Sequence, residues 1–247
     1  MTLHRSTGDN GISPNAIKAL DKENRSFLFE ICSDFFENKV DIKEWQIGVL
    51  KILQKGDLTN PNNWRRINLL DVVSKVISIV ITNRLQLVLK KPEHPCNLVQ
   101  HQKQGAQTVH FSIKTLLKMR KAIDESTWVV FVDLIEDFDS INHKILFKLL
   151  EKFGIPDRVI MVIANLYKKF KIKLTVSKCV NFVNYSTGVK QGDNMAPILF
   201  IIVTQFLAEL LEGKWRLNNI TKIPFSHNTN DFYQGGVLIK LNNKKGP

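Results

Sequence analysis

Residues Trp128 to Ser140 read "WVVFVDLIEDFDS". The first five are apolar and mostly β-branched or aromatic, the pattern of a strand buried on both faces. Asp133 follows at once, with Glu136, Asp137 and Asp139 close behind. A carboxylate at the end of a buried strand is costly unless a cation, backbone donors or another partner satisfies it. Glu136 and Asp137 carry the same sign and cannot serve. A divalent cation resolves the conflict directly, because Mg2+ takes oxygen ligands and commonly binds one or two carboxylates together with substrate phosphates. The competing reading is a loop whose acids simply lead into the next helix. For Asp133 both readings stand. Asp139, or Ser140 after it, reads as the cap of the helix over "INHKILFKLLEKF".

The rest of the chain limits what could surround such a strand. Its 247 residues are 44% hydrophobic, which excludes a disordered chain and allows a sizeable core. The net charge of +12 suits a polyanionic partner, although general solubility explains a basic excess equally well. "MTLHRSTGDNG" lacks the apolar core of a signal peptide, and the runs "VVSKVISIVI" and "APILFIIVTQFLAELL" are interrupted by polar residues. The expectation is an intracellular protein (nucleus or cytoplasm) that does not enter a membrane. Cys32, Cys96 and Cys179 are far apart and odd in number, which suits free thiols better than a disulfide framework. The spacing of His94, Cys96 and His101 does not match a structural zinc knuckle.

Local signals order the elements. Ser13 and Pro14 open a short helix. Phe27, Leu28, Ile31, Cys32 and Phe35 recur at helical spacing and predict one core face. "WQIGVLKIL" and "WRRINLL" read as strands, and Asp71 caps the helix that stops before Pro92. "TVHFSIKTLLKMRKAI" is a further helix. After the acid-ended strand come a helix stopped by Gly154 and Pro156, the helix "DRVIMVIANLYKKF", a hairpin around "KCV" and a long helix opened by Pro197. The class is α/β or α+β with a small mixed or antiparallel sheet.

Two further stretches carry chemistry. In "STGVKQGDNMAPILF", Gly188 and Gly192 bracket a polar turn before a helix, a place where backbone can approach a flat or charged ligand. In "KGDLTNPNNWRRINLL", basic residues flank a strand and could grip phosphates, or form a solvated edge.

Together these stretches resemble the reverse transcriptase domain of non-LTR (LINE-type) retrotransposons. "KGDLTNPNNWRRINLLDVVSKVISIVITNRL" is similar to that family's first fingers motif, "FVDLIEDFDSINHKIL" to its motif A and "GVKQGDNMAPILF" to its motif B. "STGDNGISP" is similar to the segment that precedes the fingers. The resemblance implies a right-hand polymerase with fingers and a partial palm, a small antiparallel sheet packed by helices, and no thumb. Residues 1–125 would hold the N-terminal extension and fingers, and 126–247 the partial palm. It implies template-directed DNA synthesis from an RNA template, with a DNA primer and dNTPs as partners and Mg2+ as cofactor, by two-metal phosphoryl transfer. By motif position Asp133 is the metal ligand and catalytic carboxylate. Phe138 is the aromatic under the sugar, Arg65 the arginine near the triphosphate, and Gln191 with Gly192 the turn packed on the new base pair.

The resemblance also has gaps. The family's Tyr-x-Asp-Asp of motif C should follow motif B, and no Asp-Asp occurs after Gln191. Glu136 and Asp137 replace non-acidic and small residues, Arg66 stands where the family has proline, and Gln100, His101 and Gln102 replace "QFG". The expectation is a fragment, cut before motif C and inactive by itself. The alternative is a non-catalytic nucleic-acid-binding remnant.

Overall fold

A computed structural model describes the backbone of residues 7–54, 59, 64–89, 106–124, 128–131, 138–176, 179–217 and 237–240. The chain divides into two compact units: residues 1–85 with 137–199, and residues 86–136 with 200–247.

In the first unit, α1 (Pro14–Ala19) starts as expected: Ser13 Oγ accepts from the Ala16 amide at 3.2 Å and proline takes the first helical position. Asp21 caps α2 (Lys22–Phe36) through the Asn24 amide. The core face of α2 is narrower than its periodicity suggests. Phe35 is buried and Leu28, Ile31 and Cys32 are half-buried, whereas Phe27 is exposed. At about 100° per residue, Phe27 and Phe29 lie on either side of Leu28, so the 28/31/32/35 stripe buries and its flanks do not.

A 3-10 turn (Lys43–Gln46) follows, and β1 begins only at Ile47 (Ile47–Gln54). Trp45, expected within the strand, belongs to that turn and packs edge-on against Phe35 with ring centroids 4.8 Å apart. β2 (Trp64–Leu70) pairs antiparallel with β1, from Gly48 opposite Leu70 to Gln54 opposite Trp64. α3 (Val72–Leu89) starts immediately. The buried Asp71 caps it: one carboxylate oxygen accepts from the Val73 and Ser74 amides at 2.8 and 3.0 Å, and the other accepts from the Asn10 side chain. Asn10 and an ion pair from Asp9 to Lys173 at 2.6 Å hold the N-terminal segment to this unit.

α5 (His143–Lys152) and α6 (Asp157–Lys168) are amphipathic. They bury Leu146, Leu149 and Leu150 from one, and Val162, Ile163, Leu166 and Tyr167 from the other. Neither Asp139 nor Ser140 caps α5. Asn142 does, its Oδ1 accepting from the Lys144 and Ile145 amides at 2.9 and 3.4 Å. β4 (Lys171–Val176) and β5 (Cys179–Asn184) form the expected hairpin. The sheet order is β2-β1-β4-β5, and β1 runs parallel to β4. The small antiparallel sheet is therefore mixed. A parallel pair needs a long crossover, and here helical segments lie between β1 and β4 in sequence.

In the second unit, α4 (Ala106–Ala122) precedes β3 (Trp128–Phe131), which pairs antiparallel with β6 (Val237–Lys240). α7 (Ala196–Leu217) begins in the first unit's residues and continues into the second's. Among the described residues no helix is long and apolar enough to cross a membrane.

Candidate functional site

The described part of the site is a junction between two turns far apart in sequence. Residues 138–141, the end of the acid-rich stretch, meet residues 185–193. Two short backbone bonds join them: the Gly188 amide donates to the Ile141 carbonyl and the Val189 amide to the Phe138 carbonyl, both at 2.6 Å. Gly188 is required at this seam. Its φ is +87°, and a Cβ there would lie 2.7 Å from the Asp139 Cα, the Phe138 carbonyl oxygen and the Tyr185 hydroxyl. Gly192 has the same need on the other side, with φ +88° and a would-be Cβ 2.7 Å from the Asn68 carbonyl oxygen. The two glycines marked in the sequence thus bracket a turn pressed against the motif A loop at one end and β2 at the other.

Side chains complete the seam. Asp139 receives the Gln191 Nε2 at 3.0 Å on one carboxylate oxygen, and the Tyr185 hydroxyl lies 3.2 Å from the other. The same hydroxyl is 2.9 Å from the Val189 carbonyl. His143 Nε2 is 2.7 Å from the Gly188 carbonyl; a carbonyl only accepts, so that nitrogen carries the hydrogen.

Beneath the turn lie a buried lysine and a buried aspartate. Lys190 is 3% exposed; its Nζ donates to the Leu166 carbonyl at 2.6 Å and sits 3.9 Å from the Phe170 ring centroid and 5.1 Å from that of Tyr167. Burial pushes its pKa down to about 8, and the Asp193 carboxylate offsets part of the shift. Burial raises the Asp193 pKa in turn, opposed by Lys190, the Ser78 hydroxyl and the Met195 and Asn194 amides. Tyr167, whose hydroxyl accepts from the Lys190 amide at 3.3 Å, is pushed well above its usual range by burial and then by Asp193.

The structure brings together three of the residues singled out in the sequence. Phe138 is half-buried with its carbonyl in the seam, and Gln191 and Gly192 form the turn. Arg65 has its backbone in β2, opposite Leu53; its side chain lies outside the described residues, as does Asp133 together with Glu136 and Asp137. Asp139, Tyr185, Lys190 and Asp193 were missed as site residues. Asp139 left no signal of this role in the sequence, because it and Asn142 are equally good caps by type and its partners are distant along the chain.

The two carboxylates at this seam already have partners of their own. Asp139 is committed to Gln191 and Tyr185, and Asp193 is buried among Ser78, two amides and Lys190. Among the described residues no three His, Cys, Asp or Glu side chains converge for a metal.

Comparisons with known proteins agree with the motifs. The family described as reverse transcriptase (RNA-dependent DNA polymerase) matches residues 53–229. The chain is 26% identical over 162 residues to a "Retrovirus-related Pol polyprotein from type-1 retrotransposable element R2" of Popillia japonica, covering 65% of this chain and 22% of that protein. It is 24% identical over 213 residues to a "Probable RNA-directed DNA polymerase from transposon BS" of Drosophila melanogaster, covering 83% and 23%. A "Transposon TX1 uncharacterized 149 kDa protein" of Xenopus laevis is 24% identical over 162 residues, covering 64% and 12%. The chain therefore spans less than a quarter of the length of these relatives. Among solved structures, a chain of a "Partial Cas6-RT-Cas1--Cas2 complex" superposes with a TM-score of 0.41 at 13% identity, covering 90% of this chain and 34% of that one.

Proposed function

The chain belongs to the reverse transcriptase (RNA-dependent DNA polymerase) family, as a domain of the non-LTR retrotransposon type, and from that premise we propose that it holds an RNA template, a DNA primer and the incoming dNTP. The observation that carries this reading is the seam itself. It ties the aromatic of one motif to the glycine-bracketed turn of the other, so Phe138, Gln191 and Gly192 are positioned as one unit.

In this reading Phe138 lies under the sugar of the incoming nucleotide and restricts its 2′ position. Gln191 and the exposed backbone at Gly192 pack on the new base pair. By its motif position Arg65 is assigned to the triphosphate, and residues up to about 125 supply the fingers. The charge of +12 neutralises template and primer phosphates. Asp133 is the residue of this chain we assign to Mg2+, the family's expected ion. No catalytic step is ascribed to it, because two-metal transfer needs further carboxylates and no Asp-Asp pair follows Gln191 in these residues. The basic charge alone also supports a second reading, a nucleic-acid-binding module without synthesis.

The test is template–primer binding against salt. Affinity should fall by about a thousandfold between roughly 50 and 200 mM salt, the drop that about six phosphate contacts give. Primer extension separates the readings: none is expected from this chain alone, and Mg2+-dependent extension abolished by Asp133→Ala would establish catalysis instead. A chain that does not bind template–primer at low salt refutes both.

A further inference from the structure

We propose that Asp139 is a positioning residue, resting on the template–primer reading above: its carboxylate holds the Gly188–Gly192 turn and fixes which end of the Gln191 amide faces the nucleic acid. The argument begins with hydrogen-bond polarity. A carboxylate accepts and does not donate, so Gln191 can meet it only through its amino group. The contact is Nε2 to carboxylate oxygen at 3.0 Å. That leaves the carbonyl Oε1 as the end of the amide turned away from Asp139. Half-exposed Gln191 thus presents an acceptor, and the group it selects must be a donor. If the turn meets the minor-groove side of a template–primer duplex, the donors there are a ribose 2′-hydroxyl and a guanine exocyclic amine.

The rest of the seam explains why this contact decides the orientation. Backbone bonds from Gly188 and Val189 fix the first half of the turn, and Lys190 points into the interior. Gln191 is the next residue, and its side chain is anchored by Asp139. The second carboxylate oxygen faces Tyr185, whose hydroxyl also reaches the Val189 carbonyl, so the two carboxylate oxygens address both halves of the turn. A cap role would not need this arrangement, since Asn142 caps α5.

The test uses the free chain first. Amide hydrogen exchange over residues 186–194 should speed up about tenfold in Asp139→Ala, while thermal melting stays within a few degrees. Asp139→Asn keeps the shape but leaves a single acceptor oxygen to serve either Gln191 or Tyr185, so exchange should also rise, by less than in Asp139→Ala. Asp139→Asn combined with Gln191→Glu exchanges donor for acceptor across the pair, and protection should return. Tyr185→Phe removes only the other arm and gives a smaller increase. Unchanged exchange in both Asp139 variants, or failure of the exchanged pair to restore it, overturns the proposal whether or not the chain binds nucleic acid.

Template–primer affinity then tests the role. Asp139→Asn should weaken binding about tenfold for duplexes that offer the matching donor. An RNA template replaced by DNA, and guanine replaced by inosine, show whether the donor is the 2′-hydroxyl or the amine: the wild-type loss on the responsible replacement should vanish in Asp139→Asn. Equal affinities of wild type and Asp139→Asn on all duplexes refute the role even if exchange changes. A wild-type chain that binds no template–primer refutes the function and this role together, while the exchange result still decides whether the carboxylate holds the turn.

Discussion

The β4–β5 hairpin and the Gly188–Asp193 turn are separated by only a few residues, yet they are held in opposite ways. The hairpin is a backbone ladder running from Lys171 opposite Asn184 to Val176 opposite Cys179, and Val176, Val180, Phe182 and Val183 are all about half exposed or more. The turn has two backbone bonds to its neighbour loop and is otherwise held by named side chains: Asp139, Tyr185, His143, Lys190 and Asp193. A ladder tolerates many sequences because every residue brings the same donor and acceptor. A turn held by side chains tolerates few, because each position meets one partner of fixed polarity and size.

The sharpest way to break this comparison is Gly188→Val. The new side chain needs a positive φ and meets three atoms at 2.7 Å, two of them backbone. Strain and overpacking together should cost about 3 kcal/mol or more, read as a lowered midpoint in urea unfolding. A cost below about 0.5 kcal/mol would show the seam to be loose.

Next in size is the pH dependence set by Lys190. Its folded pKa of about 8 lies below the ordinary 10.5, so between these values the unfolded chain binds more protons and stability rises with pH. At about 1.4 kcal/mol per unit, the gain from pH 8 to 10 should be about 2–3 kcal/mol. Above about pH 10 the raised Tyr167 works the other way, because its unfolded form loses a proton first. Lys190→Met should flatten the rise between pH 8 and 10 in denaturant titrations. A rise of equal size in the variant would assign it to other groups.

A smaller effect belongs to the helix start beside the seam. Asn142→Ala should cost about 1 kcal/mol, the usual loss of a side-chain cap. If Asp139→Ala instead cost that much through lost helix content, the cap would have been read at the wrong residue.

That exchange of roles shows what was legible in the sequence. Strands, helices and their order follow from local patterns, and Ser13, Asp71 and Pro14 act where propensity places them. Asp139 and Asn142 are equally good caps by type, and the choice between them depends on Tyr185 and Gln191, 46 and 52 residues away from Asp139. No local pattern carries that information. The parallel pairing of β1 with β4 was hidden for the same reason, since register across a long crossover leaves no periodic trace. The two glycines were legible because backbone conformation is a property of a single residue. Lys190 and Asp193 were not, because a charged residue in a polar turn reads as solvated until the turn is packed against α6.

The smallest predicted effect tests the other side of the comparison. Phe182 is 54% exposed on β5, opposite Lys173 in the ladder. Replacing it with threonine keeps β propensity and removes exposed apolar area, so stability should change by less than about 0.5 kcal/mol in the same urea titration. Solubility should rise, because β5 is an edge strand of the described sheet and apolar edges invite pairing between chains. A loss of 2 kcal/mol or more would mean that the ladder also depends on particular side chains, and the contrast with the turn would fail from the hairpin's side.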